Sequence, residues 1–364
     1  MMPLVSSANS PTSLVFFGTY TRKESKGIYA ARFNSTDGSL SAAQLAAPGS
    51  NPTFLAIHPR LPVLYAIGDR KNEKGDPEGV LFAYSIDRES GALAALNSIP
   101  AGGGPLCYIH VHPSGAGIVV ASYHGGYVAS YSLSQDGSLG ELRSLIKHTG
   151  KGPHPQQDAP HAHCIDFAPG GEIAFSADLG ADTIFRYRFD HKNATLSPEG
   201  EPHLTRSGAG PRHLAFHPNG RFAYAITELR STVTVFALDD LMTLREIQDI
   251  DTIQSDFTGR RWGAEVVIHP NGKFLYASNR ADHESIAVFS IDENSGKLTF
   301  VAHAHEGIRH PRHFAIDPSG RWLLCANHDA DDVSVFAIDE KTGRLTPTGN
   351  EIAVPSSVCI LFAR

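Results

Sequence analysis

The chain has 364 residues, 41% of them hydrophobic, with 34 glycines and 23 prolines: enough apolar material for a sizeable core and many turn formers. Its 31 basic and 38 acidic side chains give a net charge of −7, which offers no basic field to nucleic acid or to an anionic membrane surface. No apolar run approaches membrane-spanning length. The four cysteines (Cys107, Cys164, Cys325, Cys359) are scattered without a CxxC pair, as expected of reduced, mostly buried thiols in a cytoplasmic protein.

The N-terminal stretch MMPLVSSANSPTS has neither the basic nor the apolar region of a secretory signal, so residues 1–13 are expected to be a flexible tail ahead of one domain over 14–364. LVFFGTY and GIYAARFN then read as strands, followed by a Gly-x-Leu hairpin in DGSLSAA. From here a turn signal recurs: IHPRLP at His58, VHPSGA at His112, FAPGGE at Ala168, FHPNGR at His217, IHPNGK at His269 and IDPSGR at Asp317. Successive prolines lie 54, 56, 49, 52 and 48 residues apart. Downstream of each turn come further strand runs such as STVTVFALD and DVSVFAID, usually with another Gly-x-Leu hairpin. Several short strands at this period indicate an all-β propeller rather than a sandwich or a helical solenoid. The closing VPSSVCILFA resembles the unit opening GPRHLAFHP and supplies the strand that the N-terminal unit lacks. The expected fold is a seven-bladed β-propeller of four-stranded blades, the last closed by both termini, which removes the exposed edge of an open array.

The repeat also gives a geometric tool. With the turn proline as position zero, the turns lie on one face, and the residues six before and ten after lie on the other, near the channel mouth. The minus-six column reads Thr53, Cys107, His163, Arg212, Ala264 and Arg312; the plus-ten column reads Asp69, Tyr123, Leu179, Glu228, Arg280 and His328. Arginines converging on a funnel would trap an anion despite the negative net charge, and Glu228 or His163 could act as a general base on water.

Plainer readings compete with this one. Arg212 and Glu228, brought to the same end of a hairpin, could be a cross-strand ion pair. The histidines of the turn signal serve turn hydrogen bonding. His161 and His163 form an HxH pair expected on one strand face, with His154 and Asp158 nearby, but no third metal ligand is fixed by spacing, so no metal is expected. A GxSxG elbow and a Gly-rich loop opening a helix are both missing, which disfavours serine nucleophiles and nucleotide binding.

GPRHLAFHPNGRFAYAITELRSTVTVF, AEVVIHPNGKFLYASNRADHESIAVFSID and PRHFAIDPSGRWLLCANHDADDVSVF, together with the opening FFGTYTRKESKGIYAARFN, resemble the seven-bladed propeller lactonases. That family contains bacterial 6-phosphogluconolactonases and fungal 3-carboxy-cis,cis-muconate cyclases. The resemblance implies a catalytic set of His163 in PHAHCIDFAP, Arg212 in GPRH, Glu228 in ITEL and Arg280 in SNR, with no metal or other cofactor. Glu265 in GAEVVIHP and Arg312 in HPRHFAI are implied as secondary contacts; His161 and His328 join the expected substrate contacts, His328 standing where the family often has glutamine. The implied reaction is hydrolysis of 6-phospho-D-glucono-1,5-lactone to 6-phosphogluconate in the pentose phosphate pathway, on a small anionic lactone. Cycloisomerisation of a carboxymuconate, hydrolysis of another aldonolactone, and a non-catalytic interaction platform are the alternatives.

Overall fold

The computed structural model describes residues 11–22, 24–72 and 74–363, and within them strands and turns make up the whole fold apart from one 3-10 turn, Ala281–His283. Seven separate antiparallel sheets, each of four or five strands, follow one another along the chain. The unit opening at Pro211 shows the plan. Pro211–Phe216 pairs with Phe222–Thr227, which pairs with Thr232–Leu238, which pairs with Leu244–Asp251. Counting Leu55–Pro100 as blade 1, this is blade 4.

Burial explains why the strands read as they do. Every residue of Phe222–Thr227 is buried, whereas Leu244–Asp251 has no fully buried residue. An inner strand is covered on both faces by neighbouring blades and so becomes a continuous apolar run; the outermost strand meets water. Seven clusters of buried apolar residues hold the blades together, one between each pair of neighbours. The cluster uniting Leu14, Phe16 and Ile28 with Leu55 and Leu64 joins the last blade to the first and closes the ring.

That last blade is built from both ends of the chain. Ser357–Ala363 is its inner strand and pairs antiparallel with Thr12–Thr19, from Leu14 opposite Ala363 to Gly18 opposite Cys359. The domain begins slightly earlier than the sequence suggests. Thr12 and Ser13, assigned to the tail, are in the strand opposite Asn34 and Phe33, because Gly27–Asn34 offers a partner to its end. Residues 1–10 of the expected tail lie outside the described residues.

The turn histidines fasten one blade to the next. His217 Nδ1 accepts the Asn219 N–H at 3.2 Å and Nε2–H donates 2.9 Å to the carbonyl of Gly272, in the following blade. His269 repeats this with Asn271 at 3.1 Å and Gly320 at 2.7 Å. Gly272 has φ +73°, a left-handed conformation that costs glycine little, and a Cβ there would meet the His217 ring at 2.9 Å. His217→Ala should therefore cost about 1–3 kcal/mol, the range for a buried acceptor left unsatisfied. Urea denaturation would show the loss, while kcat on a lactone stays unchanged.

Candidate active site

At the channel end away from the histidine turns, a cavity of about 370 Å³ is lined by residues of all seven blades. From the two sequence columns the structure brings Thr53, Cys107, His163, Arg212 and Arg312, and Asp69, Tyr123, Glu228 and Arg280, onto its wall. Ala264, Leu179 and His328 are not on it.

A local distortion places the arginines. The pairing of blade 4 jumps between Pro211, opposite Thr227, and His213, opposite Ile226, which leaves Arg212 as an extra residue. Blade 6 does the same around Arg312, between Pro311 and His313, and blade 5 shifts register between Gly263 and Val266. Such bulges re-aim side chains, so that consecutive residues, Arg212 with His213 and Arg312 with His313, both reach the cavity.

Glu228 is the hub. Its Oε2 accepts Arg212 Nε at 3.0 Å and Arg280 Nη2 at 2.9 Å, and its Oε1 accepts Trp262 Nε1 at 2.5 Å. Arg212 is further held by the Ala264 carbonyl at 2.6 Å and Arg280 by that of Gly263 at 3.0 Å. All three charged side chains are buried, Arg212 to 2% and Arg280 to 1% exposure. Burial pushes the Glu228 carboxyl up, but Arg280 and Arg212, with the indole N–H, outweigh it and leave the group below the usual carboxylate range. Burial lowers Arg280 to about 9, with Glu228 opposing, so it remains a cation at neutral pH. Arg212 Nη2 and Arg280 Nη1 make no hydrogen bond to protein among the described residues.

His163 is different in kind. It is buried, and its Nδ1 has no hydrogen-bond partner among the described residues. Burial, then Arg212, His213, Arg312 and Arg280, hold it well below the ordinary imidazole range, so it is neutral. Its ring lies 5.1 Å from that of His213 and 5.7 Å from that of Tyr123. Arg312 forms no ion pair among the described residues and lies over the Tyr20 ring at 5.7 Å, with Arg22 over the same ring at 4.7 Å. The Cys107 thiol faces three backbone carbonyls and is pushed up to about 12 by burial, which disqualifies it as a nucleophile near neutral pH.

Three expected substrate contacts sit elsewhere. Glu265 is in the channel wall beneath the cavity lining, bound to His213 Nδ1 at 3.0 Å and within 3.5 Å of His313 Nε2. His161 stacks behind Tyr123 at 4.3 Å and binds its carbonyl at 2.8 Å, so it props a lining residue. His328 pairs with Asp329 at 2.8 Å and packs edge-on against Tyr20. The HxH pair is not on a strand: Ala162 makes only an isolated bridge to Asp178, whose carboxylate captures the His161 N–H at 2.7 Å. His154 turns back onto the Gln156 N–H at 3.2 Å instead of joining that pair.

Sequence reasoning missed Trp262, Tyr20, His213 and His313. The repeated PRH of blades 4 and 6 carried the signal for the two histidines, but strict alternation would turn them away from the channel. Trp262 ends the irregular link after Asp251, where no repeat exists to align it.

The family model of the seven-bladed β-propeller lactonases matches residues 14–362. A 6-phosphogluconolactonase of Bacillus subtilis is 37% identical over 95% of this chain and 97% of its own, and one of Formosa agariphila is 31% identical over 86% and 89%. The structure of the periplasmic gluconolactonase of Pseudomonas aeruginosa superposes with a TM-score of 0.88 at 32% identity, covering 97% of this chain and 99% of that one. By matched length, identity and blade count together, this chain belongs to the seven-bladed β-propeller lactonase family and is a hydrolase of lactone bonds.

Proposed function

We propose that the protein hydrolyses 6-phospho-D-glucono-1,5-lactone to 6-phosphogluconate, as in the pentose phosphate pathway, in a cytoplasmic setting that suits its four free thiols. The observation that carries this reading is a single cavity in which Arg212 and Arg280 share the Glu228 carboxylate, with Arg312 on the same wall, beside an imidazole whose Nδ1 has no protein partner among the described residues. The names of the Bacillus and Formosa relatives favour the phosphorylated substrate.

In this mechanism His163 is the base. Both Glu228 oxygens are engaged, so its task is to fix Arg212 and Arg280, whereas His163 Nδ1 has no protein partner among the described residues. A water gives a proton to His163 as its oxygen bonds to the lactone carbonyl carbon. The free donors of Arg212 and Arg280 receive the oxyanion, a contribution worth about 100- to 1000-fold per donor. The carbonyl re-forms, the bond to the ring oxygen breaks, and the His163 proton passes to that oxygen, giving the hydroxy acid.

Arg312, with Arg22 across Tyr20, is placed to take the phosphate. Arg312→Ala should raise KM for the phospholactone by about 10- to 100-fold, the equivalent of one charge-assisted contact, with a far smaller change for glucono-1,5-lactone. A coupled assay on phosphorylated and unphosphorylated aldonolactones, with ultraviolet monitoring of carboxymuconate as a control, tests the proposal. Turnover of unphosphorylated lactone or carboxymuconate without the phospholactone would refute it.

A further inference from the structure

Outside the cavity, three imidazoles meet on the rim of blade 5. His283 ends the 3-10 turn Ala281–His283, while His303 and His305 lie at the end of the outer strand Leu298–Ala304 and just beyond it. Ring centroids are 5.0 Å apart for His283 and His303, 5.3 Å for His283 and His305, and 5.6 Å for His303 and His305. One ligand nitrogen from each lies within 4.8 Å of the others. Among the described residues no other group of three or more His, Cys, Asp or Glu side chains is gathered this closely.

The surrounding hydrogen bonds set the tautomers. His303 Nε2 faces the Thr252 carbonyl at 2.8 Å, and His305 Nδ1 faces the Glu284 carbonyl at 3.1 Å. A carbonyl only accepts, so those nitrogens carry the protons, and His303 Nδ1 and His305 Nε2 keep lone pairs. Fixing one ring nitrogen by a backbone carbonyl so that the other can ligate is the habit of metal-binding histidines. His283 has Ser285 Oγ 2.9 Å from Nδ1, a hydroxyl that accepts as readily as it donates, and Gln254 Oε1 2.8 Å from Nε2. The amide oxygen only accepts, so Nε2 carries the proton, and Nδ1 keeps the third lone pair, which takes the Ser285 hydroxyl until a metal replaces it.

We propose that His283, His303 and His305 bind a divalent metal ion of zinc type, with water in the fourth position. Imidazole ligands suit such borderline ions, whose tetrahedral geometry sets ligand nitrogens about 3.4 Å apart. The nitrogens, within 4.8 Å of one another, must close by up to about 1.4 Å, which small side-chain rotations of the exposed His305 and its two neighbours supply. The ion would tie together three segments: the link after Asp251, through Thr252 and Gln254; the turn after Arg280; and the outer strand of blade 5. The first of these ends at Trp262, on Glu228, and the second begins at Arg280. The site thus braces, from outside, two elements that wall the cavity.

The test is uptake of zinc by the full chain after stripping with chelator, read by calorimetric titration and by the thermal midpoint. One equivalent and a midpoint raised by several degrees are expected, since a ligand that binds only the folded state stabilises it. The double variant His303→Ala/His305→Ala should lose that equivalent or bind more than about 100-fold more weakly, beyond what losing an outer partner alone costs. His191→Ala, at an exposed histidine on another blade, should keep it. If the double variant does not fold, His305→Gln is read in its place and should show the same weakening. Absence of stoichiometric uptake, or uptake that survives removal of these ligands, overturns the proposal.

Discussion

Substituting His163 by glutamine is expected to lower kcat for the phospholactone by about 100- to 10,000-fold, the range supplied by a positioned proton acceptor. The fold should survive, because His163 Nδ1 has no protein partner among the described residues to orphan. The pH profile gives an independent reading. Burial and the neighbouring cations keep His163 well below its ordinary value, so its base form persists on acidification. Accordingly kcat/KM should stay level through neutral pH and fall only well below about pH 6.5, the value for a free imidazole. The variant should lose that limb. Stability follows the opposite partner of the equilibrium: below about pH 6.5 the unfolded chain takes up protons that buried His163, His213 and His313 refuse, so the folded state weakens as pH drops. Urea midpoints at a series of pH values would show this.

Glu228→Ala is expected to be the most damaging single change to the fold around the cavity. It strands Arg212 and Arg280, both nearly inaccessible, without their counter-charge, and breaking a buried pair in this way costs about 3–5 kcal/mol. Activity should collapse with it, since the guanidiniums lose the group that aims them. Glu228→Gln separates position from charge. It keeps an oxygen for the Trp262 indole, so stability should fall less and kcat should drop without reaching the His163→Gln level. A Glu228→Gln enzyme as impaired as His163→Gln would make Glu228 the base. Because the folded carboxyl sits below its ordinary value, Glu228 stabilises the native state above about pH 4.3, and that contribution is lost as pH falls through the folded value.

Much of this was legible in the chain because a propeller repeats its turn chemistry. The HPxG signals gave the blade period, and the match of VPSSVCILFA to GPRHLAFHP gave the shared last blade, found as Ser357–Ala363 against Thr12–Thr19. Counting from the turn proline also placed His163, Arg212, Glu228, Arg280 and Arg312 at one opening. The same count failed where the backbone departs from the repeat. Register shifts at Arg212 and Arg312 bring His213 and His313 inward, which no period of two anticipates. His328 occupies a column position yet turns to Asp329, a neighbour that the column does not contain. Trp262 and the imidazoles of blade 5 depend on links of irregular length, where contacts across the fold have no trace in local pattern.

The most direct measurement of the central claim is a crystal structure of the protein with 6-phosphogluconate. The account predicts the product in the cavity, its carboxylate against Arg212 and Arg280 next to His163 and its phosphate at Arg312. Product bound outside this cavity, or lying with its phosphate between Arg212 and Arg280, would contradict it.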